Sequence, residues 1–227
     1  MDSHYATTVA YHRYDSRRPI AMQQLLHLPT VPVAGSPHRG GGMMQTWLVF
    51  IPQLPSSPSS LRVLVWRRMR TAGAAALQQG VWVLPQTPEH EQFLRDVLLE
   101  AKQQGGNGIL MVATPLDTDQ TTEVIERFRT DRDQEYREFG VQCREFLEEI
   151  AKETTADNLT FAALEENEHD LQKLHTWLTK ISARDFFSAP QAPTAAEALA
   201  SCERALHDFA QAIYAREGLQ GQAEDEQ

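Results

Sequence analysis

Four short apolar runs and two helical stripes alternate within about 70 residues, and that order constrains the fold more than any other feature of the chain. Thr46-Trp47-Leu48-Val49-Phe50-Ile51 is β-branched and aromatic and is closed by Pro52, which ends a central strand. After the loop Pro52 to Pro58, Ser59 or Ser60 is placed to cap a helix carrying Leu61, Leu64, Val65, Met69 and Ala72 at helical spacing, from Ser60 to about Ala72 and stopped by Gly73. Ala74 to Leu77 and Val81 to Leu84 flank Gln78-Gln79-Gly80 as a hairpin. Thr87 then caps a second helix, with Pro88 in its first position, a stripe of Phe93, Leu94, Val97, Leu98 and Ala101, and a stop at Gly105-Gly106. Ile109 to Ala113 makes the last strand.

The order β-α-β-β-α-β predicts an α+β, ferredoxin-like domain over residues 44–117, with both helices on one face of the sheet. Apolar residues of both parities (Trp47, Phe50, Trp82, Leu84, Leu110, Val112) imply that the other face is covered too, by another domain or subunit. Residues 118–217 predict an antiparallel three-helix bundle. Its first helix, Thr121 to about Lys152, carries Ile125, Phe128, Tyr136, Phe139, Cys143, Phe146 or Leu147, and Ile150, with Arg132 on the stripe. The second, Phe161 to about Asp185, carries Leu164, Leu171, Leu174, Leu178 and Ile181. The third opens at the capping box Thr194-Ala195-Ala196-Glu197 and carries Leu199, Cys202, Leu206, Phe209 and Ile213. Residues 1–43 have no sustained period and are expected to be a disordered extension, with Met43 or Met44 a candidate true start; residues 218–227 are expected to be a disordered acidic tail.

Charge is segregated. Four basic and two acidic residues precede Thr46, six and four lie between Thr46 and Leu116, and eleven and twenty-five follow, for a net charge of -10. A uniformly basic nucleic-acid binder is excluded by that balance, while a local patch is not. The patch present is Arg62, Arg67, Arg68 and Arg70 on the first helix. At about 100° per residue, with Val65 central to the buried stripe, Arg67 and Arg70 project to solvent and Arg62 and Arg68 lie on the flanks, where guanidinium groups can reach phosphates or an oxyanion together. A helix kept soluble by arginines that pair with bundle acids accounts for the same pattern.

Other candidate chemistry is thin. Glu165, Glu166, Glu168, His169 and His175 approach a metal-ligand grouping, but Lys173 and the lack of a second His-bearing helix make a solvated face the simpler reading, and no metal is expected. His90 and His207 read as surface residues. Cys143 and Cys202 lie on apolar stripes without a neighbouring base, so core packing is expected, and two cysteines without CxxC spacing fit a reducing cytoplasm. No nucleotide, hydrolase or zinc-protease motif occurs, so neither enzyme activity nor a cofactor is expected. No apolar run reaches the length of a membrane span.

Thr46 to Phe50, Leu61-Arg62-Val63-Leu64-Val65-Trp66-Arg67-Arg68, Gly73-Ala74 and Gly80 to Pro85 resemble the N-terminal domain of the chromate-resistance regulators called ChrB. Asp133 to Phe139, Lys173 to Leu178 and Arg184-Asp185 extend the resemblance over roughly residues 46 to 214. The resemblance implies a cytoplasmic bacterial protein linked to a chromate efflux operon, whose N-terminal region binds operator DNA through basic residues, with chromate relieving repression. The first expectation is therefore a DNA-binding regulator acting as a dimer through the exposed sheet face, with Arg62, Arg67, Arg68 and Arg70 contacting phosphates. Family members continue into a C-terminal domain that this sequence does not include, which leaves a second expectation: a non-catalytic accessory protein that pairs with a separately encoded C-terminal domain. The domain is also similar to those of CRISPR spacer-acquisition nucleases and phenylacetate-pathway repressors. The nucleases hold a metal with an Asp ending the first strand, where this chain has Ile51-Pro52 and no carboxylate before Glu89, so nuclease activity is not expected. The repressors place a winged helix before this domain, and residues 1–42 supply none.

Overall fold

The computed structural model describes residues 45–57 and 59–225, so the expected extension and the candidate start at Met43 or Met44 lie outside it. The element order is β1 (Trp47–Gln53), α1 (Ser60–Thr71), β2 (Ala75–Gln78), β3 (Val81–Pro85), α2 (Pro88–Gln103), β4 (Asn107–Ala113), α3 (Thr118–Thr155), α4 (Phe161–Ser182) and α5 (Ala192–Asp225). The sheet runs β2-β3-β1-β4 with every neighbouring pair antiparallel, as the ferredoxin-like order requires. Three long helices follow it.

Local chemistry explains most of the boundaries. Gly73, at φ +76°, ends α1 in the left-handed conformation that favours glycine, and Gly80, at φ +79°, turns the β2–β3 hairpin. The Thr87 hydroxyl accepts from the His90 N–H at 3.1 Å to cap α2. Ser59 occupies the N-cap of α1, but its side chain makes no capping bond. Strand β1 does not end at Pro52. Pairing with β3 stops at Phe50↔Trp82, whereas pairing with β4 continues through Pro52↔Gly108 to Gln53↔Asn107, so the proline sits where the strand is paired on one side only.

One face of the sheet and helices α1 and α2 enclose a core of Leu48, Phe50, Trp82 and Leu84 against Leu61, Val65, Met69, Leu94, Val97 and Ala101. Each of the larger side chains contributes about 1.5–3 kcal/mol by leaving water. The opposite face carries Trp47, Ala75 and Val83, and the first turns of α3 lie on these three through Phe128, Val124 and Ile125. The bundle is therefore the second layer for part of the sheet. Over the β4 side the expected cover is missing among the described residues: Ile109 is 45% exposed and Met111 43%. Helix α3 starts over β2 and β3 and does not reach across to β4.

The bundle core joins Tyr136, Phe139, Cys143, Phe146 and Ile150 of α3 to Leu164, Leu174 and Ile181 of α4 and Leu199, Cys202, Leu206, Phe209 and Ile213 of α5. Two expectations fail at α5. The helix begins at Ala192, ahead of the capping box at Thr194, because Asp133 of α3 accepts the Gln191 N–H at 2.8 Å and does the capping from another helix. At its other end the backbone is helical as far as Asp225, so residues 218–225 of the expected disordered tail are helical and residues 226–227 lie outside the described residues. No helix of the described residues is long and apolar enough to cross a membrane.

Candidate functional site

The four arginines all stand on α1, but they do not form one free patch. Arg62 is exposed and its Nη1 donates to the Pro55 carbonyl at 3.0 Å and to the Ser56 carbonyl, holding the loop that leads into the helix. Arg68 pairs with Glu100 of α2 at 2.7 Å and lies over the Phe93 ring. Arg70, expected on the solvent face, is turned into the junction instead: it meets Asp131 at 3.0 Å and Glu135 at 3.9 Å, both on α3. The helical wheel of α1 alone could not show this, because the acids that draw Arg70 in lie more than 60 residues along the chain. Arg67 is exposed and takes part in no ion pair among the described residues. Beside it Trp66 is 55% exposed, and Val63 lies on the same outer surface. The outward side of α1 thus offers one unengaged guanidinium, a second engaged only with loop carbonyls, and a bare indole.

A second cluster of charged side chains lies at the junction between sheet and bundle. Arg132, only 2% exposed, reaches Glu135 at 3.1 Å; Arg184, in the α4–α5 link, reaches the other oxygen of Glu135 at 2.8 Å. With Arg70, three guanidinium groups surround one carboxylate. Burial lowers the pKa of Arg132, the adjacent Glu135 opposes that, and Arg184 and Arg70 add to the lowering. Nη1 of Arg132 and Nε of Arg184 have no hydrogen-bond partner among the described residues. Around this polar knot Trp47, Phe128, Phe186 and Phe187 pack ring to ring, Trp47 stacking on Phe128 at 5.5 Å. His90 belongs here too and is not a free surface residue: its Nδ1 is 2.8 Å from the Pro85 carbonyl and its ring meets Phe186 edge-on at 5.0 Å. Arg132 was visible in the sequence as a charge on an apolar stripe. Glu135 and Arg184 gave no such signal, since their roles depend on how α3 meets the α4–α5 link.

The remaining candidates are dispersed. Glu165, Glu166, Glu168 and His169 are exposed on α4, and His175 pairs with Glu203 of α5 at 3.0 Å. Among the described residues no three His, Cys, Asp or Glu side chains are grouped to hold a metal ion. His207 is exposed on α5. Cys143 and Cys202 are buried and adjacent across α3 and α5, the Cys202 thiol lying 3.5 Å from the Cys143 carbonyl; its contact with Cys143 and its burial both raise its pKa well above that of a free thiol, which disfavours a nucleophilic thiolate.

Comparison with known proteins gives two findings. The family model described as Protein ChrB, N-terminal, matches residues 62–220. Protein ChrB of Cupriavidus metallidurans is similar over 116 residues at 28% identity, a match covering 51% of this chain and 35% of that protein. The chain therefore matches about a third of the length of the curated relative.

Proposed function

The chain belongs to the ChrB N-terminal family, and from that premise we propose that it is a chromate-responsive transcriptional regulator that contacts operator DNA through the outer side of α1 in the cytoplasm. The observation that carries this reading is the exposed trio Arg62, Trp66 and Arg67 on one helix of a chain whose net charge is -10. Arginines presented outward in a protein that otherwise repels phosphate are suited to local backbone contact, and an exposed indole beside them can pack on sugar or base. Arg68 and Arg70 add positive field from behind but are held by Glu100, Asp131 and Glu135. Two exposed arginines per protomer, Arg67 and Arg62 once it lets go of the loop carbonyls, predict a log–log salt slope of about -2 for a monomer on DNA and about -4 for a dimer, against about -4 and -7 if all four arginines contacted phosphate.

The test is a fluorescence-anisotropy titration of the full chain against DNA from upstream of its own operon, at several salt concentrations, with chromate or sulfate added. Binding that weakens with a slope between -2 and -4, falls with Arg67→Ala, and is released by chromate but not sulfate supports the reading. Absence of binding at low salt overturns it.

A second reading is favoured by a specific observation: Arg62, Arg68 and Arg70 all have partners inside the chain. In this reading the protein is a non-catalytic accessory factor of a chromate-resistance operon that pairs with a separately encoded C-terminal domain. It predicts negligible DNA binding at physiological salt.

A further inference from the structure

We propose that the outer edge of β4 is a self-association site, where a second copy of this chain adds its own β4 antiparallel to the first and makes one eight-stranded sheet. The inference deepens the dimer implied by the regulatory reading and rests on that part of it. Strand β4 is at the end of the sheet order, so the side of its backbone turned away from β1 has no strand beside it among the described residues. Natural edges are blunted by charge, proline or a bulge; Asn107-Gly108-Ile109-Leu110-Met111-Val112-Ala113 has no charge or proline, and its register with β1 is unbroken over all seven residues.

The side chains along this edge are left uncovered on both faces. Ile109 and Met111 point to the face that α3 fails to reach, and Val112, 54% exposed, points to the helix face. There a cavity of about 150 Å³ opens between β4 and α2, lined by Leu48, Leu94, Leu110 and Val112, with Glu91 and Arg95 at its rim.

Three features select a second copy as the occupant. A twofold axis through Leu110 pairs all seven residues, with Ile109 opposite Met111 on one face and Val112 opposite Gly108 on the other. The strand is uncharged, so two chains of net charge -10 can meet along it without like charges in the ladder. The rim carries both signs: Glu91 and Arg95, paired with each other one turn apart on α2, can exchange partners with the same pair on a second α2 lying antiparallel beside the first.

The experiment is sedimentation velocity of the full chain across a range of micromolar concentrations without DNA, together with hydrogen exchange of the β4 amides. The proposal expects a species of twice 25.6 kDa that dissociates on dilution, with the β4 amides gaining protection as the dimer forms. It also expects Met111→Lys and Val112→Lys, both at exposed positions, to be monomeric with unchanged circular dichroism. A dimer that survives both substitutions overturns the edge assignment and leaves the dimer itself standing. A wild-type monomer at all concentrations overturns both. Because DNA is absent, neither result bears on whether α1 binds it, which the anisotropy titration reads separately.

Discussion

Replacing Gly73 by Ala should separate the sheet from the bundle, and the geometry fixes how strongly. Gly73 follows α1 at φ +76°, where an L side chain costs about 1–2 kcal/mol. A Cβ there would also lie 2.8 Å from Cβ of Arg184, 3.2 Å from its Cγ and 3.3 Å from the Phe186 ring. The nearest of these atoms belongs to the root of a side chain, so no rotamer change can move it aside, and the α4–α5 link must shift. Overpacking of this kind costs about 1–3 kcal/mol. The total expected loss is about 2–5 kcal/mol, a large part of the 5–15 kcal/mol that ordinarily holds a domain together. Gly80→Ala is the control: it has nearly the same φ, +79°, and nothing within 4 Å of its added carbon, so only the first cost of about 1–2 kcal/mol applies. Urea unfolding followed by tryptophan fluorescence and by circular dichroism gives both values. The difference between the two variants, about 1–3 kcal/mol, is the cost of pushing Arg184 away from its place beside Glu135. Equal losses within about 0.5 kcal/mol would refute the claim that α1 and the α4–α5 link are in enforced contact at Gly73.

Two further predictions concern the bundle. Asp133→Ala removes the carboxylate that accepts from Gln191 and caps α5 from outside, so stability should fall by about 1–2 kcal/mol and amides of the first α5 turn should exchange faster; a loss below about 0.5 kcal/mol would count against this cap. The Tyr136 hydroxyl, buried and donating to Asp185 at 3.2 Å, has its pKa pushed up from 10 to about 12, chiefly by burial. The folded state keeps this proton where the unfolded chain releases it, so the contribution is complete below pH 10 and is lost as the pH rises towards 12, about 2–3 kcal/mol in all. Urea midpoints of wild type and Tyr136→Phe between pH 9 and 11.5 should converge as the pH rises, and parallel curves would refute the assignment.

The order of elements in the first half was legible because each strand and helix there is amphipathic or apolar on its own scale. Leu61, Val65 and Met69 sit where their spacing puts them, as do Leu94, Val97 and Ala101. The end of β1 was not legible, because whether a proline stops a strand depends on which neighbours flank it. The start of α5 was misread for a similar reason: a capping box is a local signal, and Asp133, distant in sequence, supplied the cap two residues earlier. For the candidate site, the sequence located the arginines on α1 and gave the outward direction of Arg67 correctly. It misplaced Arg70, whose partners come from α3.

The amino-acid sequence by itself determines which face of each helix is apolar, in what order strands and helices follow, and that the acid is gathered after Leu116. Those properties repeat at periods of two or about 3.6 residues, and neighbours along the chain suffice to express them. Only the tertiary structure decides that three guanidinium groups close on Glu135, that α3 covers one half of the sheet and leaves Ile109 and Met111 bare, and that Arg67 remains free while Arg68 and Arg70 do not. An ion pair or a covered face depends on the relative placement of elements tens of residues apart, and that placement is set by the packing of Trp47, Phe128, Phe186 and Phe187 at the junction, which no local period records.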